Sequence, residues 1–380
     1  MSGEFGIYIH WPFCQSKCPY CDFNSHVARD VDQARWRRAM LRELERTAAI
    51  TGARTVHSVF FGGGTPSLMP PDTVADILDR VRSLWGLGAG AEVTLEANPT
   101  SVEGNRFRAY ADAGVNRASL GIQALDDNDL RALGRLHTVA EAQAALETAQ
   151  RHFRRTSFDL IYARQGQTRE SWRSELRRAL SMADDHLSLY QLTIEDGTRF
   201  GELRRAGKLR GLPPDDLAAD LYADTQEICA AAGLPGYEIS SHARRGVESR
   251  HNLICWRCGD YAGIGPGAHG RLTLGGARVA TEAVRDPAAW IAAVDDAGTG
   301  ASVSRPLSEK EQAEEVLIMS LRLAEGLNIK RLQKLSDSVV NWDEASFLAS
   351  EGLIQVEGGY LRATAAGRPL LDAILARLVA

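Results

Sequence analysis

Cys14, Cys18 and Cys21 stand in the run His10-Trp-Pro-Phe-Cys14-Gln-Ser-Lys-Cys18-Pro-Tyr-Cys21, a C-x3-C-x2-C spacing placed straight after an apolar stretch. Three thiolates so spaced on one loop ligate three corners of a [4Fe–4S] cluster and leave its fourth iron open to a ligand from outside the protein. Zinc is the competing chemistry, but structural zinc sites take four protein ligands, usually as two pairs. The other pair here, Cys255 and Cys258, lies far along the chain. A second chemical segment is Phe60-Phe-Gly62-Gly63-Gly64-Thr65-Pro66. Its glycines let a ligand reach backbone N–H and C=O groups with no side chain between. It has neither the Lys-Ser/Thr of a phosphate-binding loop nor the spacing of a dinucleotide fold. Glu96, Gln123 and Asp159 lie in or beside later β-rich runs, and Arg135 lies in Leu133-Gly-Arg-Leu-His137. Each alone reads as a strand cap or surface ion pair; together they mark one face shared with the cysteines.

Such residues need a scaffold that gathers successive strand ends. Short β-rich runs occur at Gly6–His10, Val56–Phe61, Glu92–Ala97, Arg117–Ile122, Ser157–Ile161 and Leu187–Thr193, with helical periodicity between them. Val31–Ile50, capped by Asp30 or Asp32, and Asp72–Trp85, behind Pro70-Pro71, are the clearest helices. Alternation of strand and helix predicts an α/β fold with a parallel sheet covered by helices, and both a doubly wound sheet and a barrel satisfy it.

Beyond about residue 300 the pattern changes. Ser308–Leu323 reads as a helix opened by a Ser308/Glu311 capping box. Helical stretches Ile329–Leu335 and Asp343–Glu351 follow, then a hairpin in Leu353–Thr364 around Gly358-Gly359 and a last helix. This is a winged-helix-like order, without the basic stripe of a DNA-binding wing. We therefore divide the chain into 1–300, a large α/β domain with a connecting segment, and 305–380, a small α+β module for packing or lid duty.

With 380 residues, 44% of them hydrophobic, the chain has material for one large domain and one small one. A net charge of -5 argues against nucleic acid as a partner, and so against a tRNA-modifying role. Six cysteines, half of them in one motif, point to a reducing compartment. The first residues carry no basic, then apolar, leader and no run has the length of a membrane span, so the expectation is a cytoplasmic protein with membrane docking left open.

The cysteine run resembles the radical S-adenosylmethionine (SAM) superfamily, in which the amino and carboxylate groups of SAM occupy the open iron. The resemblance implies a partial (β/α)6 TIM-like barrel with the cluster loop after the first strand and functional residues on the loops at strand C-terminal ends. The glycine strip is similar to the superfamily segment that holds the methionyl amino group. Tyr8–Cys14, Gly62–Pro66, Glu96–Pro99, Gly121–Gln123, Leu133–His137 and Asp159–Tyr162 narrow the likeness, over nearly the whole chain, to the oxygen-independent coproporphyrinogen III oxidase group. By that likeness Tyr8, Gly63, Gly64, Thr65, Glu96, Gln123, Arg135 and Asp159 are SAM contacts. A bulky residue at Gly64 is then expected to weaken SAM binding and spare the cluster.

True oxidases of the group continue the motif as Cys-x-Cys, whereas here Cys21-Asp-Phe-Asn-Ser-His26 resembles the HemW-type heme chaperones, as does His251-Asn252-Leu-Ile-Cys255-Trp256. The chaperone likeness implies heme as a further ligand and apo-hemoproteins, such as respiratory enzymes, as partners, with a homodimer left open. His251 is the first candidate for the heme iron and Cys255 the second, since imidazole is a usual axial ligand. The alternative is oxidative decarboxylation of coproporphyrinogen. Two departures stand out: Cys255 replaces a tyrosine of the chaperone motif and creates Cys255-x2-Cys258, and Ala163-Arg164-Gln165 replaces a common Gly-Leu-Pro. The cysteine pair reads either as a substitution in a buried segment or as an extra metal or heme contact.

Overall fold

Each of the six β-rich runs becomes a strand, and the side-chain alternation along them decides which face is covered. The structure, a computed structural model, describes residues 3–100, 106–336 and 338–379. The six are β1 (Phe5–Trp11), β2 (Val56–Gly63), β3 (Leu87–Ala97), β4 (Arg117–Gln123), β5 (Arg155–Tyr162) and β6 (His186–Gln191). Neighbours in sequence pair in parallel from β1 to β6. Ile7, Ile9, Val59, Phe61, Leu95 and Leu120 point outward into the main core beneath the helices. The alternate residues Tyr8, Ser58, Thr94, Arg117, Ser157 and Ser188 form a polar inner wall, as a period of two requires. Polar groups on that wall face the space enclosed by the partial barrel.

The helix Gln33–Thr51 starts at Asp32, whose carboxylate accepts the Arg35 N–H, and buries Trp36, Met40 and Leu44. Truncating a core side chain such as Leu44 to alanine costs about 2–5 kcal/mol. Trp36 also packs edge-on to Phe13, with ring centroids 5.0 Å apart, and stacks on Trp290 at 5.3 Å. Phe13 directly precedes Cys14, so this aromatic block fixes the root of the cysteine loop.

The sheet extends further than the sequence reading foresaw. β7 (Ser241–Ala243) adds antiparallel to β6, while β8 (Asp260–Ile264) lies parallel to β1 on its other side. β9 (His269–Leu274), β10 (Ala277–Ala283) and β11 (Ala301–Pro306) continue from β8 as an antiparallel ribbon, so that the sheet has eleven strands among the described residues. β11 is an exposed edge with no apolar alternation to betray it.

The helix Glu309–Arg322 opens with both halves of the Ser308/Glu311 capping box. Strands Ile354–Glu357 and Tyr360–Ala363 turn through Gly358 and Gly359, whose φ values of 60° and 80° suit a type I′ hairpin. A short strand, Leu327–Asn328, joins them as a third. Leu317, Leu327, Leu348, Leu361 and Leu378 make a second core, which Cys258 enters from the preceding segment. Among the described residues, no helix is long and apolar enough to cross a membrane.

Candidate cluster and cofactor site

Beyond β1, Phe13-Cys14 pairs with His26-Val27 and closes the loop that carries the three thiols. All three are partly exposed. Each sulfur has a hydroxyl or guanidinium beside it: Thr65 Oγ1 lies 3.3 Å from Cys14 Sγ, Arg135 Nη1 3.4 Å from Cys18 Sγ and Ser25 Oγ 3.8 Å from Cys21 Sγ. Arg135 also donates to Asn98 Oδ1 at 2.6 Å, and Asn98 Nδ2 to Thr65 Oγ1 at 3.2 Å. One chain of hydrogen bonds therefore runs from Cys18 through Arg135, Asn98 and Thr65 to Cys14. Burial pushes the Cys14 and Cys21 thiols up, against the hydroxyl bonds from Thr65 and Ser25. Ligation must displace those protons.

The glycine strip is stapled to this loop: Gly64 N–H donates to Trp11 O at 2.7 Å and Thr65 N–H to Phe13 O at 2.9 Å. Gly63 has φ +110°, and a Cβ there would sit 2.6 Å from the His10 ring. A Cβ on Gly64 would lie 2.8 Å from Phe13 O and 2.9 Å from Pro12 C, both backbone atoms. The expectation that a bulky residue at Gly64 spares the cluster is thus revised, because it presses on the residue that carries Cys14.

Gly63 N–H donates to the Glu96 carboxylate, yet burial and the neighbouring Asp159 push that carboxyl up to about 8. Asp159 is itself raised to about 6 by burial, against a Ser188 hydrogen bond and the Arg117 and Arg135 charges. Arg117 is buried on the same wall and donates to Ser157 Oγ at 2.9 Å. Tyr8 bonds His10 Nδ1 at 3.0 Å, and His10 Nε2 lies 3.0 Å from the Asn24 carbonyl. A carbonyl only accepts, so His10 carries its proton on Nε2 and takes the Tyr8 hydroxyl hydrogen on Nδ1. His251, 6% exposed, bonds Ser58 Oγ through Nδ1 at 3.0 Å and packs against both the Phe60 and Tyr8 rings, with centroids 5.0 and 6.1 Å away.

Residues 8–179 match the radical SAM superfamily and residues 307–370 the HemN C-terminal domain. Mitochondrial radical S-adenosyl methionine domain-containing protein 1 of Bos taurus is 41% identical over 389 positions, covering 100% of this chain and 88% of its own. Heme chaperone HemW of Mycobacterium tuberculosis is 35% identical over 384 positions, covering 100% and 96%. HemW of Escherichia coli is 42% identical over 275 positions, covering 72% and 71%. The chain belongs to the HemW branch of the radical SAM superfamily. The solved coproporphyrinogen III oxidase (HemN) of Escherichia coli shares the fold, with a TM-score of 0.83 and 22% identity over 98% of this chain and 89% of that one.

Radical SAM membership implies a [4Fe–4S] cluster and SAM, and the residues present fit both. Three thiols with donors beside them suit a cluster whose thiolates bind separate irons. Among the described residues, no three His, Cys, Asp or Glu side chains converge on one point as the ligands of a single zinc ion do. On the SAM side, Gln123 holds a left-handed φ of 74°, and neither its buried Oε1 nor Arg135 Nε has a hydrogen-bond partner among the described residues. Strain and unpaired buried polar atoms at strand ends mark a place where a polar ligand completes the bonding.

Tyr8, Gly63, Gly64, Thr65, Glu96, Gln123, Arg135 and Asp159 all fall on the inner wall or its upper rim, while His251 sits inside the wall beyond Tyr8. The departures from the HemW pattern have local explanations. Ala163 keeps a left-handed φ of 58°, a conformation that a glycine adopts at no cost. Arg164 beside it is buried but paired with Asp129 at 2.7 Å and Glu175 at 2.6 Å. Burial raises Cys255 to about 12 and Cys258 to about 11, so both stand as protonated thiols. Sequence reading missed Ser25, Asn98 and Arg117 as members of the site. Ser25 and Asn98 lay inside quoted motifs, and only their contacts give them roles.

Proposed function

We propose that this protein is a heme chaperone that holds a [4Fe–4S] cluster and SAM at the mouth of its barrel, binds heme and passes it to apo-hemoproteins in the cytoplasm. The observation that supports this reading is the likeness to the heme chaperone HemW of Mycobacterium tuberculosis along both chains, 35% identity over 100% and 96% of their lengths. The cluster and SAM, when bound, supply one-electron chemistry. In this reading Cys14, Cys18 and Cys21 hold three irons, and Thr65, Arg135 and Ser25 orient the thiolates by donating to their sulfurs. Gly63 and Gly64 offer backbone groups to the methionyl end of SAM. Arg135 attracts its carboxylate, and Gln123 and Asp159 complete the polar contacts. A cationic amino group near Glu96 favours the ionised carboxylate and draws its raised pKa down.

For heme, His251 is the proposed iron ligand. Burial lowers its pKa to about 3, so the imidazole is neutral, the form that ligates a metal. In the tautomer that gives Nδ1–H to Ser58, Nε2 presents its lone pair. Its place inside the wall means that heme must enter the barrel to meet it. His251→Ala should shift or abolish the heme Soret band with the iron–sulfur absorbance unchanged. An identical heme spectrum in that variant, with a change instead in Cys255→Ser, would move the ligand to the thiolate.

A further inference from the structure

The run Cys21-Asp-Phe-Asn-Ser-His26 and the run Gly263-Ile-Gly-Pro-Gly-Ala-His269 are separated by most of the chain, and the fold brings them together. Asn24 is the point of contact. Its Nδ2 donates both hydrogens across the gap, to Pro266 O at 3.0 Å and to Arg285 O at 2.9 Å. Its Oδ1 lies 3.2 Å from His26 Nε2, and its carbonyl takes the His10 Nε2–H at 3.0 Å. The opposing loop is shaped to this approach: a Cβ on Gly267 would lie 2.6 Å from Asn24 Nδ2, and one on Gly265 2.4 Å from His10 O. Gly265 N–H is in turn held by Glu43 at 3.0 Å. The hydrogen-bonded path therefore runs from the Tyr8 hydroxyl on the inner wall, through His10 to Asn24 on the cysteine loop, and on to the β8–β9 loop and Arg285, two residues after β10.

We propose that Asn24 is a positioning residue that locks the cluster loop to the β8–β10 ribbon and thereby fixes where the open iron faces the SAM site. No other common side chain of its size offers two donors and an acceptor on one planar group. Aspartate has the same shape but only acceptors, and would set a carboxylate against two carbonyls. The inference is independent of heme binding and stands or falls without it.

The test uses the full chain, anaerobically reconstituted, as Asn24→Asp, Asn24→Ala and Gly267→Ala, the last pressing on the same contact from the ribbon side. Three quantities are read: iron and sulfide content, melting temperature, and the electron paramagnetic resonance spectrum of the reduced cluster with and without SAM. The expected result is near-native iron content and melting, with SAM affinity weakened about tenfold or more and an altered SAM-induced change in the spectrum. Native SAM affinity and spectra in the variants that hold a cluster would overturn the proposal. So would loss of fold and cluster together in all three, which would make the contact merely structural. If only Asn24→Asp fails to assemble, the other two decide by the same criteria.

Discussion

Gly63→Ala and Gly64→Ala separate the two neighbours of the glycine strip. At Gly63 the new methyl meets the His10 ring at 2.6 Å, and φ +110° is a conformation that L-residues rarely adopt. Relief comes either by rotating the peptide, which breaks the Gly63 N–H bond to Glu96, or by swinging His10 away from Tyr8 and Asn24. Backbone strain of this kind costs about 1–3 kcal/mol, and each lost hydrogen bond about 0.5–1.5 kcal/mol. If the bound state bears 1–3 kcal/mol of this, SAM affinity falls roughly 5- to 150-fold. The cysteine loop backbone is not touched, so iron and sulfide content should stay near the native level. At Gly64 the methyl meets Phe13 O and Pro12 C instead, at 2.8 and 2.9 Å. These atoms yield only if Cys14 moves, so this variant should lose cluster as well as SAM. The assay is iron and sulfide analysis after anaerobic reconstitution, with equilibrium SAM binding on the same samples. Full iron content together with native SAM affinity in Gly64→Ala, or cluster loss in Gly63→Ala alone, would refute the argument.

Alanine at Cys14, Cys18 or Cys21 should abolish the broad visible absorbance of the cluster, and full iron and sulfide in all three variants would remove the assignment. Arg135→Gln withdraws a cation and the donor 3.4 Å from Cys18 Sγ, so the midpoint potential of the cluster should fall in a potentiometric titration; an unchanged potential would count against that contact. Glu96 titrates near 4.5 when unfolded and near 8 when folded. The folded chain thus holds a proton that the unfolded chain has lost, and its stability falls as pH rises through that window. The melting temperature of Glu96→Gln, relative to the native protein without SAM, should climb between those pH values, and a flat difference would show that the carboxyl is not buried as described.

The parts of the site that were legible in the sequence are those carried by local spacing. Cys14, Cys18 and Cys21 sit on one loop, Gly62 to Gly64 on one strand end, and Ser308 with Glu311 in one helical turn, so short-range chemistry announces them. Strand identity was equally local, since Gly6–His10 and Val56–Phe61 are short runs rich in β-branched and aromatic residues. What stayed hidden depends on distant partners. Asn24 meets Pro266 across 242 residues, and Arg54 of the early chain pairs with Asp260 of β8. The ribbon β9–β11 was obscured because its strands are half-exposed and rich in alanine and arginine, leaving little apolar period to read. His251 could be picked out by its motif, but its burial against Ser58 and Phe60 belongs to the folded wall alone.

The most direct test of the account offers the reconstituted protein both chemistries. Loaded with heme and mixed anaerobically with an apo-cytochrome of b type, it should transfer heme, read as the spectrum of the reconstituted cytochrome. Given coproporphyrinogen, SAM and a low-potential reductant, it should form no decarboxylated product beyond a trace. Decarboxylation at enzyme-like turnover, with no heme transferred, would contradict the chaperone account.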